Sequence, residues 1–172
     1  MYKSEYVGKN GVYAKVVADS VAPSGARLTT IEVKFHRFIL PEVLTHRMFS
    51  RNASSSRAIP VEKICEEVAT NPAMPVYWGK NKPGMQANEE NWIKDEYYEG
   101  YALFPYEGGV ADCLMFWKNE AAYAAQNAMI MAQAGYHKQI VNRLTEPFQY
   151  TKMVITATEW DNFFKLRLHP DA

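Results

Sequence analysis

The sequence has little of several things, and each scarcity removes a class of protein. It has only two cysteines, Cys65 and Cys113, far apart and without a Cys-x-x-Cys pair. That argues against a disulfide scaffold or a zinc site and fits a reducing, cytoplasmic setting. Its four histidines, His36, His46, His137 and His169, show no i, i+4 pairing, so no metal site is expected. No apolar run approaches a membrane span, and the N-terminal Met1-Tyr2-Lys3-Ser4-Glu5 lacks a signal-peptide core. Formal net charge is zero, so no global field draws the chain to nucleic acid or to an anionic membrane. There is no internal repeat and no low-complexity tail. What remains is 172 residues, 48% of them hydrophobic, enough for one domain with a real core.

Strand signals come first. Val12 to Ala18 reads as a strand closed by Asp19-Ser20 and the turn Pro23-Ser24-Gly25, and Leu28 to Phe35 as a second with alternating faces. Such alternation predicts an antiparallel sheet covered on one side. Leu40, Val43, Leu44 and Met48 then follow a helical period, with Pro41 in the first turn. Val61 to Ala69 is a short amphipathic helix with Ile64, Cys65 and Val68 inward. Residues 71–109 are dense in Pro, Gly, Trp and Tyr, which predicts an irregular insert or lid. Val110 to Ala134 is the clearest helix, with Gly135 placed to cap it.

Lys138 to Leu144 forms another short helix with Ile140, Val141 and Leu144 apolar, broken by Pro147. Phe148 to Ala157 is a strand. Thr158 with Asp161 approximates a capping box for a final helix whose apolar face is Trp160, Phe163, Phe164 and Leu166. The fold class expected is therefore α+β, an antiparallel sheet packed with helices in a single domain.

The chemistry concentrates in residues 44–57, where three arginines, a histidine, an asparagine and four serines share one short run. Helix formers stop at Ser50, and Ser and Asn offer the backbone competing hydrogen bonds. The expectation is a helix that unwinds into a hydroxyl-rich loop, where Arg47, Arg51 and Arg57 can hold a phosphate. Composition alone fits a solvated Ser/Arg surface loop equally well.

Spacing is more specific. His46-Arg47, seven residues, Ser55 and then Arg57 resembles the Arg-His-Arg, seven residues, Ser signature of the flavin-dependent thymidylate synthases. Thr45 stands where the first Arg of that signature stands, a Thr-His-Arg form like that of a divergent subgroup, with Arg57-Ala58-Ile59-Pro60 following the serine. Trp78-Gly79-Lys80-Asn81 and Gly84-Met85-Gln86 resemble the same subgroup. Arg143 ahead of Glu146-Pro147 is similar to the family's second phosphate arginine, although leucine usually precedes that proline. Asn162 to Arg167 resembles its C-terminal Asn-x-x-x-x-Arg element. On one helix those two residues point about 140° apart, so they cannot both wrap one small ligand from one side. A large or subunit-shared site resolves this.

The resemblance implies an α+β fold of the flavin-dependent thymidylate synthase type and a homotetramer with active sites built from several subunits. It implies FAD as cofactor, NADPH as reductant, methylenetetrahydrofolate as carbon donor, and conversion of dUMP to dTMP. Carried over by position, His46, Arg47, Asn52 and Asn162 would contact flavin. Ser55, Arg57, Arg143 and Arg167 would contact dUMP, with Arg167 and Ser55 the candidate catalytic residues. Glu42 stands where the family often has a nucleotide-binding glutamine, and Ala58 replaces a common tyrosine. Members usually continue beyond this C-terminus with another helical segment. Two other readings stay open: a related enzyme that leaves a hydroxymethyl group on the pyrimidine, and a non-catalytic nucleotide- or RNA-binding relative.

Overall fold

Two apolar cores form, and they come from different stretches of the chain. A computed structural model describes residues 4–84, 87–94, 99–101, 103–106 and 109–168. Of the residues named above, Met1, Tyr2, Lys3, Met85, Gln86 and His169 lie outside the described residues. In chain order the strands are β1 (Glu5–Val7), β2 (Tyr13–Val21), β3 (Arg27–His36), β4 (Ser50–Ala53), β5 (Trp92–Lys94), β6 (Glu99–Tyr101), β7 (Leu103–Tyr106), β8 (Gly109–Asp112) and β9 (Tyr150–Ala157). The α-helices are α1 (Leu40–Leu44), α2 (Val61–Thr70), α3 (Cys113–Gln133), α4 (Lys138–Val141) and α5 (Asp161–Arg167). They group into two units, Met1–Ser54 with Tyr150–Ala172, and Ser55–Gln149.

The first unit is an antiparallel five-stranded sheet in the order β1-β2-β3-β9-β4. β3 and β9 pair in the register Val33↔Met153 and Ile31↔Ile155. Because strand side chains alternate, Thr151, Met153, Ile155 and Ala157 are buried on one face while Lys152 and Val154 are exposed on the other. The buried face forms a core of Phe35, Phe49, Met153, Ile155 and Ala157, with Leu40, Val43, Trp160 and Phe163 packed against it. The opposite face is polar. There the Tyr13 hydroxyl donates to Glu32 at 2.7 Å, and Lys34 lies 4.3 Å over the Tyr150 ring. The expected α+β class and the sheet covered on one side are both present.

Three local expectations in this unit need correction. The run from Ser50 is not a loop: β4 pairs with β9, Ser50 opposite Thr156 and Ala53 opposite Met153. Cross-strand pairing on an open edge outweighs the weak turn preference of Ser and Asn. The Thr158–Asp161 capping box does not form, and Trp160 occupies the N-cap of α5 without a side-chain cap. Its indole N–H instead donates to the Ala157 carbonyl at 3.2 Å, and its ring sits 4.8 Å from that of Phe49. Packing of the tryptophan fixes the helix entry. The third correction is β1, which the sequence reading missed because its three residues are exposed.

The second unit is built on α2 and α3. Val61, Ile64, Cys65 and Val68 meet Ala121, Ala125, Ala128 and Val141 in its core, the small alanines allowing close helix approach. α3 starts three residues later than the periodicity suggests, because residues 109–112 pair with β7. The Asp112 side chain then caps the helix by accepting from the Met115 N–H at 2.7 Å. At its other end Gly135 has φ +89°, and the Tyr136 N–H reaches the Met131 carbonyl at 3.1 Å, the closing bond of a Schellman cap.

The expected helix over Lys138 to Leu144 is α4 followed by a 3₁₀ helix, Asn142–Phe148, which contains Pro147 rather than ending before it. Only Val141 of its apolar trio is buried; Ile140 and Leu144 are exposed. A buried polar network holds this turn instead. Asn142 Nδ2 donates to the carbonyls of Ser56 and Ile59, and Gln149 Nε2 donates to the Asn142 carbonyl and Thr145 Oγ1. The stretch 71–109 is less irregular than expected, carrying the antiparallel pairs β5–β6 and β7–β8. Trp78 packs edge-on against Trp117 at 6.0 Å, which fits a packing role more than ring stacking on a ligand.

Candidate functional site

The candidate site residues fall into three places. The first is a cleft of about 690 Å³ in the sheet unit, lined by Thr45 to Phe49 and by Thr158 to Phe163, Leu166 and Arg167. α1 ends at Leu44 and releases the chain over the sheet, which turns His46 and Arg47 toward α5. Arg51 NH1 donates to the carbonyls of Val43 and Leu44, meeting the unpaired C-terminal end of α1. The Thr45 hydroxyl donates to the Glu42 carbonyl at 2.6 Å, so Thr45 finishes the helix.

Within the cleft the walls are aromatic and the rim is polar. Phe49, Trp160 and Phe163 form a cluster, with Phe49 and Phe163 ring centroids 5.1 Å apart. His46 meets the Phe163 ring edge-on at 5.4 Å, and the Arg167 guanidinium lies 4.2 Å over the same ring. Arg167 NH2 approaches His46 Nε2 to 2.7 Å. Desolvation, then the charges of Arg167 and Arg51, hold the His46 pKa below the ordinary imidazole value. Arg47 and Asn162 also line the cleft, and neither makes a hydrogen bond or ion pair among the described residues. Asn162 and Arg167 thus share one cleft despite their angular separation, which its size accommodates.

The second place is in the helical unit. Ser55 is extended and leads into the 3₁₀ turn Ser56–Ala58, which carries Arg57. Both Ser55 and Arg57 are exposed. The turn is anchored from below by Ser56, which is buried and donates its hydroxyl to Glu146 Oε1 at 2.9 Å. Glu146 Oε2 lies 3.7 Å from Arg143 NH1. Glu146 therefore ties Arg143 to the turn bearing Ser55 and Arg57. Ser56 and Asn142, and the tethering role of Glu146, were missed by sequence reading, since buried polar contacts leave no periodic trace.

The third place holds Asn52 alone. Its register partner is Val154, on the exposed sheet face, where it borders a shallow groove with Glu32, Ser54 and Lys152. The cleft residues Phe49, Trp160 and Phe163 pack on the buried face. Asn52 and His46 therefore serve opposite sides of one sheet.

Neither cysteine resembles a nucleophile. Burial, then the charge of Glu62, pushes the Cys65 thiol up, and burial, then Asp112, does the same for Cys113.

No protein-family model and no curated protein matches this sequence. Among solved structures the chain is similar to a UMP/dUMP methylase, PolB, from Streptomyces cacaoi, in a crystal structure bound with 5-Br UMP. The likeness covers 86% of this chain and 71% of that one, with 13% sequence identity and a TM-score of 0.55. At that identity it establishes the fold, an α+β arrangement of the class expected from the sequence.

Proposed function

We propose that this chain is an enzyme that modifies carbon 5 of a pyrimidine nucleotide. More particularly, we read it as an FAD-dependent enzyme that methylates dUMP to dTMP, with methylenetetrahydrofolate as carbon donor and NADPH as reductant. The observation that carries this reading is the convergence of His46, Arg47, Asn162 and Arg167 on one aromatic-walled cleft, in a fold shared with a pyrimidine-nucleotide methylase.

The residues present fit a flavin. A planar, partly apolar ring matches walls of Phe49, Trp160 and Phe163, and Arg47 and Asn162 have polar atoms to spare for its edge and phosphates. Bound flavin supplies the hydride chemistry. The chain's own work is to bind and orient. Arg57 and Arg143 hold the nucleotide phosphate, the planar guanidinium suiting it better than lysine, and the Ser55 hydroxyl adds one donor. Arg167 aims fixed donors at charge that develops on the pyrimidine ring, which commonly contributes about 2.7–4 kcal/mol.

No base is hydrogen-bonded to the Ser55 side chain among the described residues, so covalent attack by Ser55 has no support here. Asn52 on the far sheet face reads flavin only in a neighbouring copy's site, which favours a homotetramer with shared sites. The transferred group is read as methyl. A hydroxymethyl product, or UMP as substrate in place of dUMP, is decided by product analysis of the same reaction.

The test is a visible spectrum of the purified protein, followed by FAD titration and turnover of dUMP. The expected result is a bound oxidised flavin at one per chain and a C5-alkylated product. A colourless protein that takes up no FAD by fluorescence or calorimetry sinks the enzyme reading.

A further inference from the structure

Phe163 carries two groups on one ring: Arg167 over its face at 4.2 Å and His46 at its edge at 5.4 Å. The ring thereby brings Arg167 NH2 to 2.7 Å from His46 Nε2. A guanidinium has donors and no acceptor. Nε2 must therefore accept, which places the imidazole in its neutral form with the proton on Nδ1.

We propose that His46 is the positioning residue for Arg167: its neutral imidazole fixes one guanidinium amino group through Nε2, leaving the other N–H donors directed for a nucleotide acceptor. This rests on the reading of Arg167 as a nucleotide donor given above. Arg167 needs such a tether. It is the last residue of a seven-residue helix, is exposed, and pairs with no carboxylate among the described residues. Stacking on Phe163 restrains the plane of the guanidinium; the bond to Nε2 fixes its rotation within that plane.

The electrostatics keep the acceptor available. The charged groups around His46 are Arg47 beside it, Arg51 on β4, Arg167 on α5, and the cleft carboxylates Glu159 and Asp161. Burial, then the charges of Arg167 and Arg51, lower the pKa, and the imidazole stays neutral at neutral pH. The sign follows directly. As pH falls through the lowered pKa, imidazolium can no longer accept and repels Arg167, so the donor is released and ligand affinity falls.

The proposal and the function it rests on are separable by experiment. The first measurement is an NMR titration of the His46 ring, assigned by its loss in His46→Gln, in the wild-type chain and in Arg167→Gln. The His46 midpoint is expected to move up when the guanidinium is gone. An unchanged midpoint overturns the proposal, whether or not any nucleotide binds.

The second measurement is affinity for dUMP and for deoxyuridine at neutral pH and below the His46 midpoint. Deoxyuridine is included because a phosphate itself titrates near pH ~6. Both ligands should weaken about tenfold or more in the wild type at the lower pH, the lower end of the worth of one hydrogen bond to a charged group. His46→Leu should show that loss already at neutral pH and no further step. His46→Gln, with an amide oxygen that does not titrate, should recover part of it and also show no step. Wild-type affinity in His46→Leu, or a persisting step in His46→Gln, overturns the proposal. Failure of the wild type to bind either ligand would instead sink the proposed function, and the ring titration would still decide the His46–Arg167 coupling.

Discussion

Arg57 and Arg143 lie on different turns of the helical unit, both exposed, and differ in what surrounds them. Arg143 has Glu146 at 3.7 Å, whereas Arg57 has no hydrogen bond or ion pair among the described residues. Replacing either with alanine should weaken dUMP binding by about 1.5–3 kcal/mol, the range for hydrogen bonds to charged groups. Deoxyuridine, which lacks the phosphate, should be indifferent to both, and calorimetry with the two ligands separates the cases. Equal losses would show that the arginines hold structure.

A second residue-scale effect is tied to pH. The Arg27 guanidinium, then the Thr29 hydroxyl, hold the Asp19 carboxyl down at about 2 from its usual 3.8. A depressed carboxyl stabilises the fold fully above its unfolded value and loses that contribution as pH falls through the folded one. The wild-type unfolding midpoint should therefore drop more steeply than that of Arg27→Gln between pH 3.8 and about 2. Added salt should shrink the difference, because the pair is exposed. Parallel curves would remove this linkage.

At the scale of elements, β9 shows how one strand serves two environments. Met153 is 1% exposed in the sheet core, while its neighbour Val154 is 38% exposed on the polar face. Met153→Ala should cost about 2–5 kcal/mol by transfer and cavity terms. Val154→Ala should stay within about 0.5 kcal/mol. Chemical denaturation of the two variants checks this, and similar losses at both positions would show that the outer sheet face is covered in solution. Gly135 gives a comparable contrast at the end of α3. Its φ of +89° is one that an L-residue adopts at a cost of about 1–2 kcal/mol, so Gly135→Ala should destabilise although a Cβ there meets nothing within 4 Å.

For the whole molecule, the flavin roles proposed for Asn52 and His46, which lie on opposite sheet faces, predict an oligomer. Light scattering should report a homo-oligomer, most simply a tetramer, and turnover should fall on dilution below its dissociation range. A monomer that turns over dUMP at full rate would contradict shared sites. No helix among the described residues is long and apolar enough to cross a membrane.

Sequence alone determined what depends on short-range pattern. The alternation of residues 28–35, the helical period of 61–69 and the αL glycine after α3 all follow from residue spacing, because one face of each element has to be apolar. The candidate site's membership has another source: His46, Arg47, Asn52, Ser55, Arg57, Arg143, Asn162 and Arg167 were named from the resemblance of short motifs to a known family. Which of them meet was decided only by the tertiary structure. Ser50–Ala53 is a strand because β9 has an open edge there, and that edge outweighs the local preference of Ser and Asn. Arg51 NH1 caps a helix end because the last carbonyls of α1 lie beside it, and Glu146 is a tether because Ser56 and Arg143 fold toward it. The His46–Arg167 bond spans 121 positions. No local pattern encodes such a contact, since it exists only once α1 and α5 pack on the same face of the sheet.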